Sequence, residues 1–175
     1  YDSVISNYFN EKTEHSFPKK KVFHANLIEQ LRYGENPHQL SAIYSRNLNT
    51  NLKQIHGKPL SYNNYNDIFS ALTISKSLPR DTGTVIVKHT NPCGVSAKNN
   101  HLESYKSALL CDPISAFGGI VSCNFKIKKN LAIELNKLFL EVIVANGFDN
   151  NAIKILKGKK NYKKIERHFI KSKLK

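Results

Sequence analysis

Lys88 and His89 stand side by side where an apolar run ends, and they offer a cation and an imidazole for acid–base chemistry near neutral pH. The run Val85–Val87 consists of β-branched residues, which predicts a buried strand. We interpret Lys88–Gly94, with its Asn-Pro pair, as a loop at the carboxyl end of that strand, where α/β sheets often present ligand-binding side chains. The alternative is a strand end with a solvated lysine and a hydrogen-bonded histidine.

Three further polar loops offer groups for binding a ligand. Arg32–Gln39 supplies a cation suited to phosphate and a phenol suited to stacking, Ser61–Asn64 supplies a hydroxyl and amides, and Ser115–Gly119 supplies flexible glycines. Ordinary turn and helix-capping chemistry is the alternative for each loop. Together the loops suit a small planar anion better than a polymer.

The elements that must position these loops alternate along the chain. Hydrophobic spacing predicts a helix after the Gly57–Asp67 loop, ending at Pro79, and then strand, helix, strand, helix and strand between residues 84 and 145. This order predicts an α/β fold, a parallel or mixed sheet covered by helices.

Composition narrows the class of protein. The chain has 175 residues and no Met, so we expect a processed or partial chain. Three cysteines without CxxC spacing predict a reduced, cytoplasmic protein with no metal site, and the sequence shows neither a signal peptide nor an apolar stretch that predicts a membrane span.

The net charge of +14 is concentrated at one end of the chain, because residues 157–175 carry nine of the 27 Lys and Arg residues and one of the 13 acids. We predict a frayed basic tail there, with a polyanion-binding arm as the alternative. Lys far outnumbers Arg, the better residue for reading bases, so we rank nucleic-acid binding last among the possible functions.

Four ordered motifs carry a resemblance to one family: LRYGENPHQ from Leu31, LSYNN from Leu60, VKHTNPCG from Val87 and DPISAFGG from Asp112. The chain resembles the bifunctional purine biosynthesis enzymes that combine AICAR transformylase with IMP cyclohydrolase. By this resemblance, residues 1–20 are a connector from a preceding cyclohydrolase domain, 21–156 form the first lobe of the transformylase, with a cytidine-deaminase-like layered sheet and covering helices, and 157–175 are the tail.

The resemblance also implies a reaction. It is the transfer of a formyl group from 10-formyltetrahydrofolate to AICAR, giving FAICAR, which the cyclohydrolase closes to IMP. The partners are then the nucleotide and the folate, with no metal, and a homodimer is expected of the full enzyme.

Residue roles follow from motif positions. Lys88 and His89 match the catalytic pair, Arg32, Tyr33 and Asn64 match nucleotide-binding positions, and Ser115, Phe117 and Gly118 match residues lining the same pocket. A neutral His89 would remove a proton from the attacking amine, and Lys88 would stabilise the oxyanion or assist departure of the folate nitrogen.

Two departures leave a second interpretation open. Asn146 stands where the family usually has Pro, and the family continues through a second lobe beyond the Lys-rich end of this chain. The alternative to an active transformylase is a catalytically incomplete nucleotide-binding remnant, and we expect this piece alone to be inactive.

Overall fold

The computed structural model describes residues 1–12, 17, 22–46 and 52–158, together with the backbone of residues 168–172. The chain divides into two compact units, Tyr1–Gln30 with Ala42–Thr50, and Leu31–Ser41 with Asn51–Lys175. No helix within these described ranges is long and apolar enough to cross a membrane.

The smaller unit is built from local elements. Helix α1, Asp2–Lys12, buries none of its residues. Strands β1, Asn26–Leu31, and β2, Ser41–Ser45, form a two-stranded sheet. The described residues of this unit form little core. The predicted site residues all belong to the larger unit.

The larger unit contains a six-stranded mixed sheet with the order β3-β8-β7-β6-β4-β5. Its parallel pairs are β6 with β7 and β7 with β8, and the other pairs are antiparallel. Its strands are β3 Leu52–His56, β4 Gly83–Lys88, β5 Asn91–Ala97, β6 Ile120–Ile127, β7 Val142–Phe148 and β8 His168–Ser172. Its helices are α2 Tyr62–Ser77, α3 His101–Cys111, α4 Lys129–Leu135 and α5 Asn150–Lys157.

Helices cover both faces of the six-stranded sheet. On one face, Ile68 and Leu72 of α2 pack against Ile120, Val142 and Val144. On the other face, α3, α4 and α5 pack against side chains of opposite parity on the same strands. Because both faces are buried, the central strands read as nearly continuous apolar runs. The predicted α/β sheet with covering helices is confirmed.

Helix α2 begins earlier than the sequence predicted. We interpreted Gly57–Asp67 as a loop, but the helix starts at Tyr62 with Ser61 as its N-cap. The Ser61 hydroxyl accepts from the Asn64 N–H at 3.2 Å, and the Asn64 side-chain oxygen accepts from the Ser61 N–H at 3.2 Å. This capping box uses Asn in place of the usual Glu or Gln, which is why the start was missed.

The segment after β4 was predicted as a loop, and the structure corrects this. Lys88 pairs with Asn91 across a two-residue turn, and Asn91–Ala97 forms edge strand β5. Pro92 lacks an N–H and is tolerated because β5 lies at the edge of the sheet. The catalytic candidates therefore lie on a tight hairpin.

The basic end of the chain also differs from its prediction where it is described. Residues 168–172 form β8, which pairs with β3 and β7, although a frayed tail was predicted for 157–175. His-Phe-Ile is a β-prone run, and pairing on both sides satisfies its backbone. Residues 159–167 and 173–175 lie outside the described residues.

Candidate functional site

The turn between β4 and β5 holds two residues in the left-handed backbone region. His89 has φ 51° and Thr90 has φ 63°. A two-residue hairpin of this type needs positive φ at both central positions, and Asn and Gly normally occupy them. A β-branched residue such as Thr90 is strained there. Strained residues of this kind cluster at active sites, so the turn is the first candidate for chemistry.

Lys88 is the last residue of β4, and its half-buried side chain reaches across to a second loop. Its Nζ donates a hydrogen bond to the backbone oxygen of Phe117 at 2.8 Å. His89, the next residue, is exposed. The structure thus brings one predicted catalytic residue together with one predicted pocket residue, and it leaves the imidazole open to solvent.

The loop before β6 is held by Asp112 and by a left-handed glycine. The Ser115 hydroxyl and N–H bond to Asp112 and lower the pKa of that carboxyl, and the N–H contact to Asp112 Oδ1 is 2.9 Å. Gly118 has φ 74°, which only glycine adopts without strain. Ser115 is therefore engaged within its own turn, while Gly118 allows the loop to reverse direction.

Phe117 presents an aromatic surface at this loop. Its side chain is 56% exposed, and its ring lies 5.2 Å from the ring of Phe139, tilted by 59°. The Gly118 N–H donates to the Phe139 oxygen at 2.9 Å, which fixes the two aromatic residues relative to one another. The exposed Phe117 ring, supported by the half-buried Phe139 ring, offers a surface beside Lys88 on which a planar ligand can stack.

Asn64 joins the same region through an acidic residue. Its Nδ2 donates to Glu141 Oε2 at 2.9 Å, although 77 residues separate the two in sequence. The Glu141 N–H donates in turn to the Gly119 oxygen at 3.1 Å. The start of α2 is thereby connected to the Ser115–Gly119 loop.

Asn64→Asp should destabilise the protein in a pH-dependent way. The new carboxylate would lie beside Glu141, so the folded-state pKa of one of the two acids would rise above its unfolded value. The folded state then binds more protons, and stability falls as the pH rises from about 4 to 7. We expect urea unfolding to show a loss of about 1–3 kcal/mol at pH 7 that is much smaller at pH 4.

The neighbouring Asn63→Asp variant is the matched control. Asn63 is exposed in the first turn of α2, where an added acid interacts favourably with the helix dipole. Equal losses in both variants, or a loss for Asn64→Asp that does not change with pH, would contradict the proximity of Asn64 and Glu141.

Arg32 and Tyr33 follow β1 and contact each other. The Arg32 guanidinium carbon lies 5.7 Å from the centre of the Tyr33 ring. The turn beyond them closes through the Gly34 N–H, which donates to the Gln39 oxygen at 2.7 Å. Among the described residues, no hydrogen bond joins Arg32 or Tyr33 to the His89-Thr90 turn.

A shallow groove connects the Arg32–Gln39 loop with α2. It is lined by Gly34, Glu35, Gln39, Leu40, Ser41 and Tyr62. Tyr62 is the first residue of α2, two positions before Asn64. The Arg32–Gln39 and Ser61–Asn64 loops therefore border one depression. Glu141 connects the Ser61–Asn64 loop with the Ser115–Gly119 loop, and Lys88 contacts the Ser115–Gly119 loop directly.

Cys93 lies on the hairpin near Lys88, but its environment does not favour a thiolate. Burial raises the pKa of Cys93, the Asp112 charge raises it further, and the Lys88 charge opposes both. The raised pKa keeps the thiol protonated near neutral pH, which argues against a nucleophilic role. In the described part of the chain, no group of three or more His, Cys, Asp or Glu side chains could hold a metal ion.

Sequence reasoning missed Glu141, Asp67 and Ser70. Glu141 precedes β7, and Asp67 and Ser70 lie within α2, where charged and hydroxyl residues are ordinary. The one available signal for Glu141 was its position just before the predicted strand that begins at Val142. In the sheet, the start of that strand lies beside the start of β6, which the Ser115–Gly119 loop precedes. For Asp67 and Ser70, the short i, i+3 spacing of two polar residues on a largely apolar helix was the only hint.

Comparison with known proteins decides the family. The family model described as AICARFT/IMPCHase bienzyme matches residues 1–174. The chain belongs to this family. The bifunctional purine biosynthesis protein PurH of Caldicellulosiruptor bescii is 43% identical over 174 residues, which cover 95% of this chain and 34% of that protein.

Other members of the family align in the same way. PurH of Oceanobacillus iheyensis is 41% identical over 171 residues, covering 95% of this chain and 33% of that protein. PurH of Acetivibrio thermocellus is 40% identical over 181 residues, covering 99% of this chain and 35% of that protein. The chain thus spans about a third of the length of these curated relatives.

Proposed function

We propose that this chain is part of an enzyme that transfers a formyl group from 10-formyltetrahydrofolate to AICAR in purine biosynthesis, with FAICAR then closed to IMP by the cyclohydrolase part of the same protein. The observation that carries the proposal is the strained turn that places His89 next to Lys88, with the Lys88 amine bonded to the loop of Phe117. Membership of a family of bifunctional purine biosynthesis enzymes supports it.

In this proposal, His89 acts as the general base. The amine of AICAR is a poor nucleophile, so removing its proton as it attacks the formyl carbon lowers the barrier. An exposed imidazole on a strained turn is accessible to a substrate amine. The form of the imidazole that accepts the proton is the neutral ring.

Lys88 supplies positive charge beside the base. Attack on the formyl group places negative charge on oxygen, and an ammonium held in position stabilises that charge more in the transition state than in the ground state. Its bond to the Phe117 oxygen holds the amine before substrate arrives. The alternative role that we propose for this ammonium is protonation of the departing folate nitrogen.

The surrounding loops hold the nucleotide. Arg32 provides a guanidinium for its phosphate, Tyr33 and Phe117 provide aromatic surfaces, and Asn64 provides an amide oriented by Glu141. Ser115 and Gly118 shape the loop that borders Lys88. The formyl donor, 10-formyltetrahydrofolate, would approach the exposed side of His89. We also propose that the working enzyme is a cytoplasmic homodimer.

The experiment that tests this function uses the full-length protein. Incubated with AICAR and 10-formyltetrahydrofolate, it should produce FAICAR and then IMP, both followed by mass spectrometry. Arg32→Ala should raise the Kd for AICAR about 10- to 100-fold, because it removes a charged hydrogen bond to phosphate.

Arg46→Ala is the control, since Arg46 is an exposed arginine that lies 5.8 Å from the Phe23 ring and has no proposed role in binding. Absence of both FAICAR and IMP from the wild-type reaction would refute the proposed function. An unchanged Kd in Arg32→Ala would remove Arg32 from the phosphate site.

A further inference from the structure

Two side chains of α2 form hydrogen bonds with the backbone of the His89-Thr90 turn. The Thr90 N–H donates to Asp67 Oδ1 at 2.7 Å, and the Ser70 hydroxyl donates to the Thr90 oxygen at 2.6 Å. Asp67 and Ser70 lie three residues apart in α2, so one face of the helix presents both groups. The donor and the acceptor of one strained residue are therefore held by a neighbouring element.

Two side chains of the hairpin add hydrogen bonds to the His89 carbonyl. The Thr90 hydroxyl donates to the His89 oxygen at 2.7 Å, and Asn91 Nδ2 donates to the same oxygen at 2.8 Å. These contacts fix the peptide after His89. Among the hydrogen bonds of the described residues, those from Asp67 and Ser70 join the two turn residues to a neighbouring element.

The two contacts are not what docks α2 on the sheet. Ile68 and Ala71 are fully buried on the packing face of α2, and Leu72 is 7% exposed. Apolar burial of this kind fixes the helix. Asp67 and Ser70 are half-buried at its rim, and the groups they bind belong to the turn. Asp67 and Ser70 are therefore placed to hold the conformation of the turn, and not to fix the helix on the sheet.

We propose that Asp67 and Ser70 are positioning residues for the Lys88-His89 pair. This inference rests on the proposed function of the pair. Residues in the left-handed region persist only where the surroundings hold them, and the two α2 side chains hold Thr90 there. Asp67 and Ser70 thereby orient the imidazole of His89 and fix the end of β4 that carries Lys88.

The test compares four variants of the full-length enzyme. Asp67→Ala removes the acceptor for the Thr90 N–H, and Asp67→Asn keeps an acceptor oxygen of similar reach. Ser70→Ala removes the donor. Thr73→Ala is the matched control, since its hydroxyl bonds within α2 to the Phe69 oxygen at 2.8 Å.

We expect Asp67→Ala to lower kcat about 10- to 100-fold, with KM for AICAR within about threefold, because misaimed catalytic groups slow the chemical step more than binding. Asp67→Asn should recover most of the rate. Ser70→Ala should cost about 2- to 10-fold, as expected for one neutral hydrogen bond. Thr73→Ala should stay within about twofold of wild type.

Amide hydrogen exchange supplies a readout that does not depend on turnover. The Thr90 amide should exchange at least about tenfold faster in Asp67→Ala than in wild type or Asp67→Asn. Unchanged Thr90 protection in Asp67→Ala would overturn the proposal, as would a kcat within threefold of wild type or a loss equal to that of Thr73→Ala. If the wild-type protein formylates nothing, the proposed function fails, and the exchange result alone then decides whether α2 holds the turn.

Discussion

Replacing Lys88 by methionine in the full-length enzyme should lower the kcat of formyl transfer by about 10²- to 10³-fold, the usual cost of losing one charge-stabilising donor. Methionine keeps most of the aliphatic length of lysine and removes the ammonium. The half-buried stem can therefore still pack, while the bond from Nζ to the Phe117 oxygen is lost. Steady-state kinetics with AICAR and 10-formyltetrahydrofolate measures the effect.

The Kd for AICAR should change far less than kcat, because the charge that Lys88 stabilises develops only during reaction. Lys98→Met is the matched control, since Lys98 is exposed beyond the end of β5. A loss confined to KM, with kcat unchanged, would assign Lys88 to substrate binding and contradict its catalytic role.

Gly94→Ala should cost about 3–5 kcal/mol of folding stability, a large part of the total for a typical domain. An added Cβ at Gly94 would lie 1.9 Å from the backbone oxygen of Ala108. The atoms that the new Cβ would meet first belong to the α3 backbone. Because no flexible side chain can move to relieve the clash, α3 must move away from β5. That movement would disturb the strand that completes the catalytic hairpin.

Thermal unfolding and soluble yield measure this effect, with Gly147→Ala as the matched control. Among the described residues, a Cβ at Gly147 would meet only the Lys126 side chain, at 3.6 Å, an ordinary contact. We expect the control to melt within a few degrees of wild type and Gly94→Ala to melt at least about 6 °C lower or to be insoluble. Equal melting temperatures would contradict the close approach of α3 to β5.

Local patterns were enough to predict the centre of the fold. Val85–Val87 lies in β4, and the runs beginning at Ile120 and Val142 lie in β6 and β7. These segments are buried on both faces, so their sequence is apolar whatever surrounds them. The alternation of strands and helices then fixed the α/β class.

Hairpin β4–β5 was missed because its turn breaks the usual rules. Asn-Gly or Gly-Gly would have predicted a two-residue turn, whereas His89-Thr90 occupies these positions in a strained conformation. Pro92 also suggests a loop unless the strand is known to lie at an edge. Such conflicts between local preference and the fold are expected at functional sites.

Long-range contacts of the site could not be predicted from local sequence. The Asn64–Glu141 bond joins residues 77 positions apart, and the Asp67–Thr90 bond joins residues 23 positions apart. Neither spacing repeats a helix or strand period, so only the assembled sheet brings these residues together. The motif resemblance nevertheless marked both Asn64 and the Lys88-His89 pair from sequence.

The most direct test of the central claim is the single-turnover rate of formyl transfer by full-length His89→Gly enzyme, measured with and without added imidazole. Glycine adopts the left-handed conformation of residue 89 readily, so the turn is kept while the base is removed. We predict a rate about 10²- to 10⁴-fold below wild type, at least tenfold recovery with imidazole, and an unchanged Kd for AICAR. Exposed His24 provides the control, His24→Gly. A His89→Gly rate within threefold of wild type would contradict the assignment of the proton transfer to this turn.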